Sequence, residues 1–210
     1  KNNSKFIIAD HGGGFSRKLD LNNNYHKEIC FKKINWFKKK GSFYPALSPT
    51  HPIISKKNRF KINKDNENIT ILYSECSPYQ TRMQSIPFFC DEVENYIEFI
   101  LALKKLDKKI KKKLLFRLKE QNSLKSDQVF AEVFGKNLVV DKNVFNFYDN
   151  LFSSKIVLVS YPTTSYSESM YLNLPTILFC KKKVWMFSNS SLQIFKELKK
   201  NNMAFENYNE

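Results

Sequence analysis

Glycine, histidine and arginine are all scarce in this chain: five, three and four copies among 210 residues. Each scarcity removes a class of reading. Three histidines and four cysteines, at positions 30, 76, 90 and 180 with no Cys-x-x-Cys pair, offer neither zinc-ligand spacing nor a dense disulfide framework. A reducing, cytoplasmic setting is therefore expected. Long apolar runs are also missing. Ile156 to Val159 and Thr176 to Cys180 are of strand length, far short of the roughly 20 residues that span a bilayer. Apolar matter itself is not short, at 42% hydrophobic and 15% aromatic residues, which is enough for a good core and excludes disorder as the main state. The first residue is Lys1, with no initiator methionine or signal-peptide pattern, and the chain is read as a piece of a longer protein.

The formal charge of +15 points first to nucleic acid. Its make-up argues otherwise, because 31 of the 35 basic residues are lysine while asparagine occurs 22 times. Proteins that read phosphates and bases lean on the planar fork of arginine. A joint excess of Lys and Asn is what AT-rich codons produce by drift, so the runs at Lys38 to Lys40, Lys108 to Lys113 and Lys181 to Lys183 read as solvated faces. A weaker reading is contact with an anionic membrane surface.

From about Asn68 onward, apolar runs of strand length alternate with amphipathic stretches of helix length. Strands are expected at Ile69 to Ser74, Leu114 to Leu118, Leu138 to Val140, Ile156 to Ser160 and Thr176 to Phe179. Helices are expected at Glu92 to Leu106, Ser126 to Phe134, Val144 to Phe152, Tyr166 to Leu172 and Ser190 to Asn201. In the first helix Val93, Tyr96, Ile97, Ile100, Leu101 and Leu103 make one apolar stripe, and Asp91, Glu92 and Glu94 read as helix N-terminal charges only. This alternation predicts an α/β domain, a Rossmann-like parallel sheet with helices on both faces, over residues 68–210. Residues 1–67 differ. They hold an initial strand at Phe6 to Ala9, a glycine turn, a strand at Ile29 to Phe37 and a stretch with Pro45, Pro49 and Pro52, and they read as a junction with a missing N-terminal domain.

Three of the five glycines sit in one turn, Asp10-His11-Gly12-Gly13-Gly14-Phe15. Backbone N–H groups without Cβ atoms can approach an anion there, and His11 can donate to a phosphate or act as acid or base. The bland alternative is a tight structural turn. A lipase-type oxyanion loop is rejected, because no Gly-x-Ser-x-Gly elbow exists and no histidine follows His51. A second constellation, Ser160 to Glu168, lies between a strand and a helix. Thr163, Thr164 and Ser165 with the free N–H groups of the helix would suit a phosphate, and Glu168, about one turn in, would suit sugar or ribose hydroxyls. Equally, Thr164 or Ser165 could cap the helix with Glu168 completing a capping box. Arg82 and Arg117 stand at strand ends, where open α/β sheets bind ligands; surface ion pairs are the competing account.

Taken in order, these residues resemble one family. The matching stretches are His11 to Phe15, Ser77 to Pro87 with its Pro-Tyr-x-x-Arg, Leu115 to Leu118, Val159 to Glu168, Asn173 to Phe179 and Trp185 to Leu198. The chain is similar to the surface-polysaccharide transferase family first described from leptospiral O-antigen gene clusters, a branch that looks like GT-B glycosyltransferases. It departs from the family pattern at Ser16, at Asn35-Trp36-Phe37 and at Lys119-Glu120-Gln121. The resemblance implies the C-terminal half of a GT-B fold and transfer of a sugar from a nucleotide-sugar donor to a glycan or lipid-linked glycan acceptor, with no metal or other cofactor and no nucleic-acid partner. It implies phosphate contacts for Thr163, Thr164 and Ser165, charge neutralisation by Arg82 and Arg117, and a ribose or sugar contact for Glu168. It assigns donor-sugar or leaving-group contact to His11 with Gly12, Gly13 and Gly14, and adds Glu28 as a catalytic candidate. The alternatives are a non-catalytic nucleotide-sugar-binding relative and, less favoured, a basic nucleic-acid-binding domain.

Overall fold

The computed structural model describes residues 5–9, 28–34, 65–73, 89–118, 125–135, 139–141, 147–162, 164–185, 187 and 189–207. Two short strands, β1 (Ile7–Ala9) and β2 (Lys32–Ile34), pair in parallel as a sheet of their own. The strand expected from Ile29 to Phe37 begins later, at Lys32, since Glu28 and Ile29 are helical; its expected continuation over residues 35–37 lies outside the described residues.

The remaining strands form one parallel six-stranded sheet: β3 (Asn68–Tyr73), β4 (Leu114–Leu118), β5 (Val139–Asp141), β6 (Ser154–Val159), β7 (Thr176–Phe179) and β8 (Ala204–Phe205), in the order β5-β4-β3-β6-β7-β8. The Rossmann-like α/β sheet expected from the alternation is thus the fold. From β3 the chain steps outward through β4 to β5, returns to the other side of β3 at β6, and steps outward again. The direction of winding reverses between β3 and β6, and open sheets of this kind bind ligands beyond the carboxyl ends of the strands at that point. The sixth strand, β8, has two residues and is too short to carry a periodicity.

The helices are α1 (Phe89–Lys105), α2 (Lys108–Lys111), α3 (Ser126–Phe134), α4 (Phe147–Phe152), α5 (Thr164–Tyr171), α6 (Lys182–Trp185) and α7 (Asn189–Lys200). Among the described residues none is long and apolar enough to cross a membrane. Side chains alternate across each strand, so the sheet has two cores. On one face Ile71, Tyr73, Leu114, Phe116 and Leu118 pack with Tyr96, Phe99, Ile100 and Leu103 of α1 and Phe130 of α3. On the other, Leu72, Val157, Val159 and Leu178 pack with Leu151 of α4, Leu172 and Leu174 after α5, and Phe195 of α7.

The first face corrects the stripe read from the sequence. Ile97 and Leu101 are each 52% exposed, whereas Glu92, Asn95 and Phe99 are buried. The helix is rotated so that Phe99, not Ile97, enters the core, and the line Glu92-Asn95-Tyr96-Phe99-Leu103 carries two polar residues inward.

Glycine scarcity shows at the helix ends. α5 closes with Asn173 at φ 59°, its N–H bonded to Met170 O at 3.0 Å and that of Leu174 to Ser169 O at 3.1 Å. α7 closes in the same way on Asn202, φ 56°, with Asn202 N–H to Lys199 O at 3.1 Å and Met203 N–H to Leu198 O at 2.8 Å. Both are Schellman caps, in which the left-handed residue is usually glycine; asparagine is the next best tolerated there.

Candidate functional site

The site is built around one row of the sheet. Leu72 of β3 pairs with Arg117 of β4 on one side and Val159 of β6 on the other; Val159 pairs with Leu178, and Leu178 with Ala204. Residues paired across strands point to the same face. Leu72, Val159, Leu178 and Ala204 are at most 2% exposed, so Arg117 continues an apolar row as a partly buried charge near the strand ends. Its guanidinium lies over the Phe147 ring of α4, 4.8 Å from the centroid, a cation–π contact that gains strength as water is excluded.

Glu168, on α5, lies within electrostatic reach of this charge. It is only 5% exposed, and its Oε1 accepts a hydrogen bond from the Tyr148 hydroxyl at 3.2 Å. Burial pushes its carboxyl up to about 7, against the pull of the Tyr148 hydrogen bond and the Arg117 charge. Glu168 thus takes part in a tertiary contact to α4. Tyr161, just after β6, donates to Ser165 Oγ at 3.2 Å. Burial raises its phenol pKa; the Ser165 bond opposes this, Glu168 adds to it and Arg117 opposes it. Thr164 and Ser165 occupy the first two positions of α5, both partly buried. Ser160 stays in the ladder, its N–H on Leu72 O at 3.1 Å, which holds the start of this segment against β3.

Of the residues singled out in the sequence, Arg117, Thr164, Ser165 and Glu168 come together at the carboxyl end of the sheet, joined by Phe147, Tyr148 and Tyr161. Glu28 is exposed and stands ahead of β2, next to the separate two-stranded sheet. His11, Gly12, Gly13, Gly14, Arg82 and Thr163 lie outside the described residues.

Glu92 corrects a reading. It is 3% exposed and accepts the Tyr73 hydroxyl at 3.2 Å, which is more than a charge decorating a helix end. Its place on the line that continues through Tyr96 and Phe99 was the available signal. Phe147 and Tyr148 had none, because an adjacent aromatic pair in a six-residue helix has no spacing that marks it. Cys180 is buried, and burial, with the Glu206 and Glu92 charges, pushes its thiol pKa well above the ordinary value, which disfavours the reactive thiolate.

A buried carboxyl that changes charge near neutrality, an arginine held on a ring, and hydroxyls at a helix N-terminus form a set that can recognise an anion and share a proton with a neighbouring hydroxyl. Residues 1–210 match the model of the family described as LIC12162 family transferase. The chain belongs to that family. The resemblance carried by the glycine turn, the Val159 to Glu168 segment and the Asn173 to Phe179 segment is thereby shown, and the chain is a transferase by family. No curated protein matches it. In this LIC12162 family transferase Arg117, Tyr161, Thr164, Ser165 and Glu168 fall in β4 and the Val159 to Glu168 segment, two of the stretches on which the resemblance rested, whereas Phe147 and Tyr148 of α4 lie outside them.

Proposed function

We propose that this chain carries the donor-phosphate side of a glycosyltransferase that moves a sugar from a nucleotide-sugar donor to a surface glycan or lipid-linked glycan. The observation that supports this reading best is the approach of Arg117 and Glu168 beside the first turn of α5, at the point where the sheet reverses its winding. A nucleotide-sugar leaves behind a diphosphate, and stabilising the negative charge that develops on it is the main electrostatic task of the transferring enzyme. Arg117 supplies a fixed positive charge for it, and the N–H groups at the start of α5, with Thr163, Thr164 and Ser165, supply donors. Glu168 takes a ribose or sugar hydroxyl. The glycine turn, with His11 and Gly12 to Gly14, adds the leaving-group or sugar contact, Arg82 a second charge, and Glu28 an acid or base. This chemistry needs no metal or further cofactor from the residues named.

The test is a thermal-shift screen of nucleoside diphosphates and nucleotide-sugars, followed by donor hydrolysis and transfer assays. A ligand present at 100 times its dissociation constant adds about 2.7 kcal/mol of stability. Binding by the native chain, lost in Arg117→Gln, is the expected result. Binding without hydrolysis or transfer to any acceptor would leave a nucleotide-sugar-binding relative in place of the enzyme. Failure of every nucleotide to bind would overturn the reading.

A further inference from the structure

α4 has six residues, too few for a helix to hold itself together in water, yet it is tied down at both ends and through its buried Leu151. Leu151 is fully buried in the core under β6. Asn66 Nδ2 donates to Phe152 O at 2.6 Å. Ser153 Oγ and Ser154 Oγ donate to Asn150 O at 3.0 and 2.6 Å, so one carbonyl near the helix end is capped twice, by the residue before β6 and by the first residue of β6. At its other end stand Phe147 and Tyr148. Successive helical residues point about 100° apart, and these two reach different elements: the Phe147 ring lies under the Arg117 guanidinium of β4, and the Tyr148 hydroxyl reaches Glu168 of α5. The two rings also pack on each other edge to face, 5.2 Å between centroids.

We propose that α4 is the positioning element of this site, its Phe147 carrying Arg117 and its Tyr148 holding the Glu168 carboxyl, so that one anchored helix sets the spacing of the two opposite charges a phosphate-bearing ligand meets. Tyr148 and Phe147 are positioning residues, acting through Glu168 and Arg117. The role at a ligand rests on the donor-phosphate reading above; the setting of Glu168 by Tyr148 does not. The charged and titratable groups of the described residues that interact with Glu168 include Arg117 from β4, Tyr148 from α4 and Tyr161 from the segment after β6. Of these, Tyr148 donates directly to the carboxylate and favours its ionised form. Cutting that bond must make Glu168 harder to ionise.

The experiment is a titration of the ligand-free chain carrying ¹³C-labelled glutamate carboxyls, with the Glu168 signal identified by its loss in Glu168→Gln. Tyr148→Phe keeps the ring and its packing and removes only the hydroxyl. It should raise the proton affinity of Glu168 by about threefold or more, while Tyr73→Phe, which removes the hydroxyl held by Glu92, should not move it. A Glu168 midpoint in Tyr148→Phe equal to that of the native chain overturns the proposal, whatever ligands do. In parallel, calorimetry with uridine and guanosine diphosphates should show Tyr148→Phe and Phe147→Leu weakening the diphosphate that the native chain binds, by about tenfold. A shifted midpoint with neither diphosphate bound by the native chain supports the positioning role and counts against the donor reading alone.

Discussion

Glu92 and Glu168 invite comparison. Each lies about one turn into the helix that follows a strand flanking the reversal point, Glu92 in α1 after β3 and Glu168 in α5 after β6. Each is nearly inaccessible, 3% and 5% exposed, and each accepts a tyrosine hydroxyl at 3.2 Å. Their surroundings differ. The tyrosine of Glu92, Tyr73, is stacked on Phe99 at 5.3 Å and meets Phe130 edge-on at 6.2 Å, inside a packed aromatic cluster. The tyrosine of Glu168, Tyr148, sits on a short helix beside a ring that carries an arginine, and Tyr161, bonded to Ser165 Oγ, lies within electrostatic reach of the carboxyl. Burial and a phenol partner are thus common to both carboxylates. Glu168 in addition feels the Arg117 charge, near the carboxyl ends of the strands, where open sheets of this kind bind ligands.

The largest effect should come from the packed side of the comparison. Phe130 is fully buried and its ring lies within 6.4 Å of those of Tyr73, Tyr96, Phe99, Phe116 and Phe134. Phe130→Ala should cost about 3–5 kcal/mol in denaturant unfolding, without moving the titration of Glu168. A moved titration would mean that the two faces are coupled through the sheet.

Glu168→Gln should give a smaller, pH-dependent effect. A carboxyl raised from 4.5 to about 7 holds more protons folded than unfolded between those values. Its contribution is fully present below pH 4.5 and is lost as pH rises through 7. The variant should therefore gain on the native chain from acid to pH 8, by on the order of 3 kcal/mol. Parallel stability curves for the two proteins over that range would show that Glu168 is solvated enough to ionise freely, and the contrast with an ordinary surface glutamate would vanish.

Tyr73→Phe should have the smallest effect, about 1–3 kcal/mol from one hydrogen bond to a buried carboxyl, measured as a shift in the denaturant midpoint at constant slope. A loss of nucleotide binding in this variant would move Glu92 into the site and erase the distinction drawn above.

Much of the scaffold was legible because it repeats. Strand-length and helix-length apolar runs placed Leu114 to Leu118, Ser126 to Phe134 and Thr176 to Phe179 at the residues observed, and the same alternation implied a parallel sheet. Boundaries moved where caps, not hydrophobicity, decide them: α5 begins at Thr164, two residues before its first aromatic, and ends on an asparagine. At the site, Arg117, Thr164, Ser165 and Glu168 were visible as polar residues at strand and helix ends. Phe147 and Tyr148 were not, since an aromatic pair reads as core filling; away from the site, the burial of Glu92 was signalled only by its place on the inward line of α1, because an acidic residue in a first turn reads as a helix-dipole partner.

By itself the sequence determined the class of fold, because that follows from local periodicity. The rotation of α1 was decided only by the tertiary structure: Ile97 and Phe99 are equally apolar, and which one turns inward depends on the shape of the cavity left by Tyr73, Phe116 and Phe130. The same holds for the charge of Glu168. Desolvation by a surrounding fold raises its proton affinity, and a hydroxyl 20 residues earlier in the chain lowers it. Neither can act until the sheet has brought β4, α4 and α5 to one end.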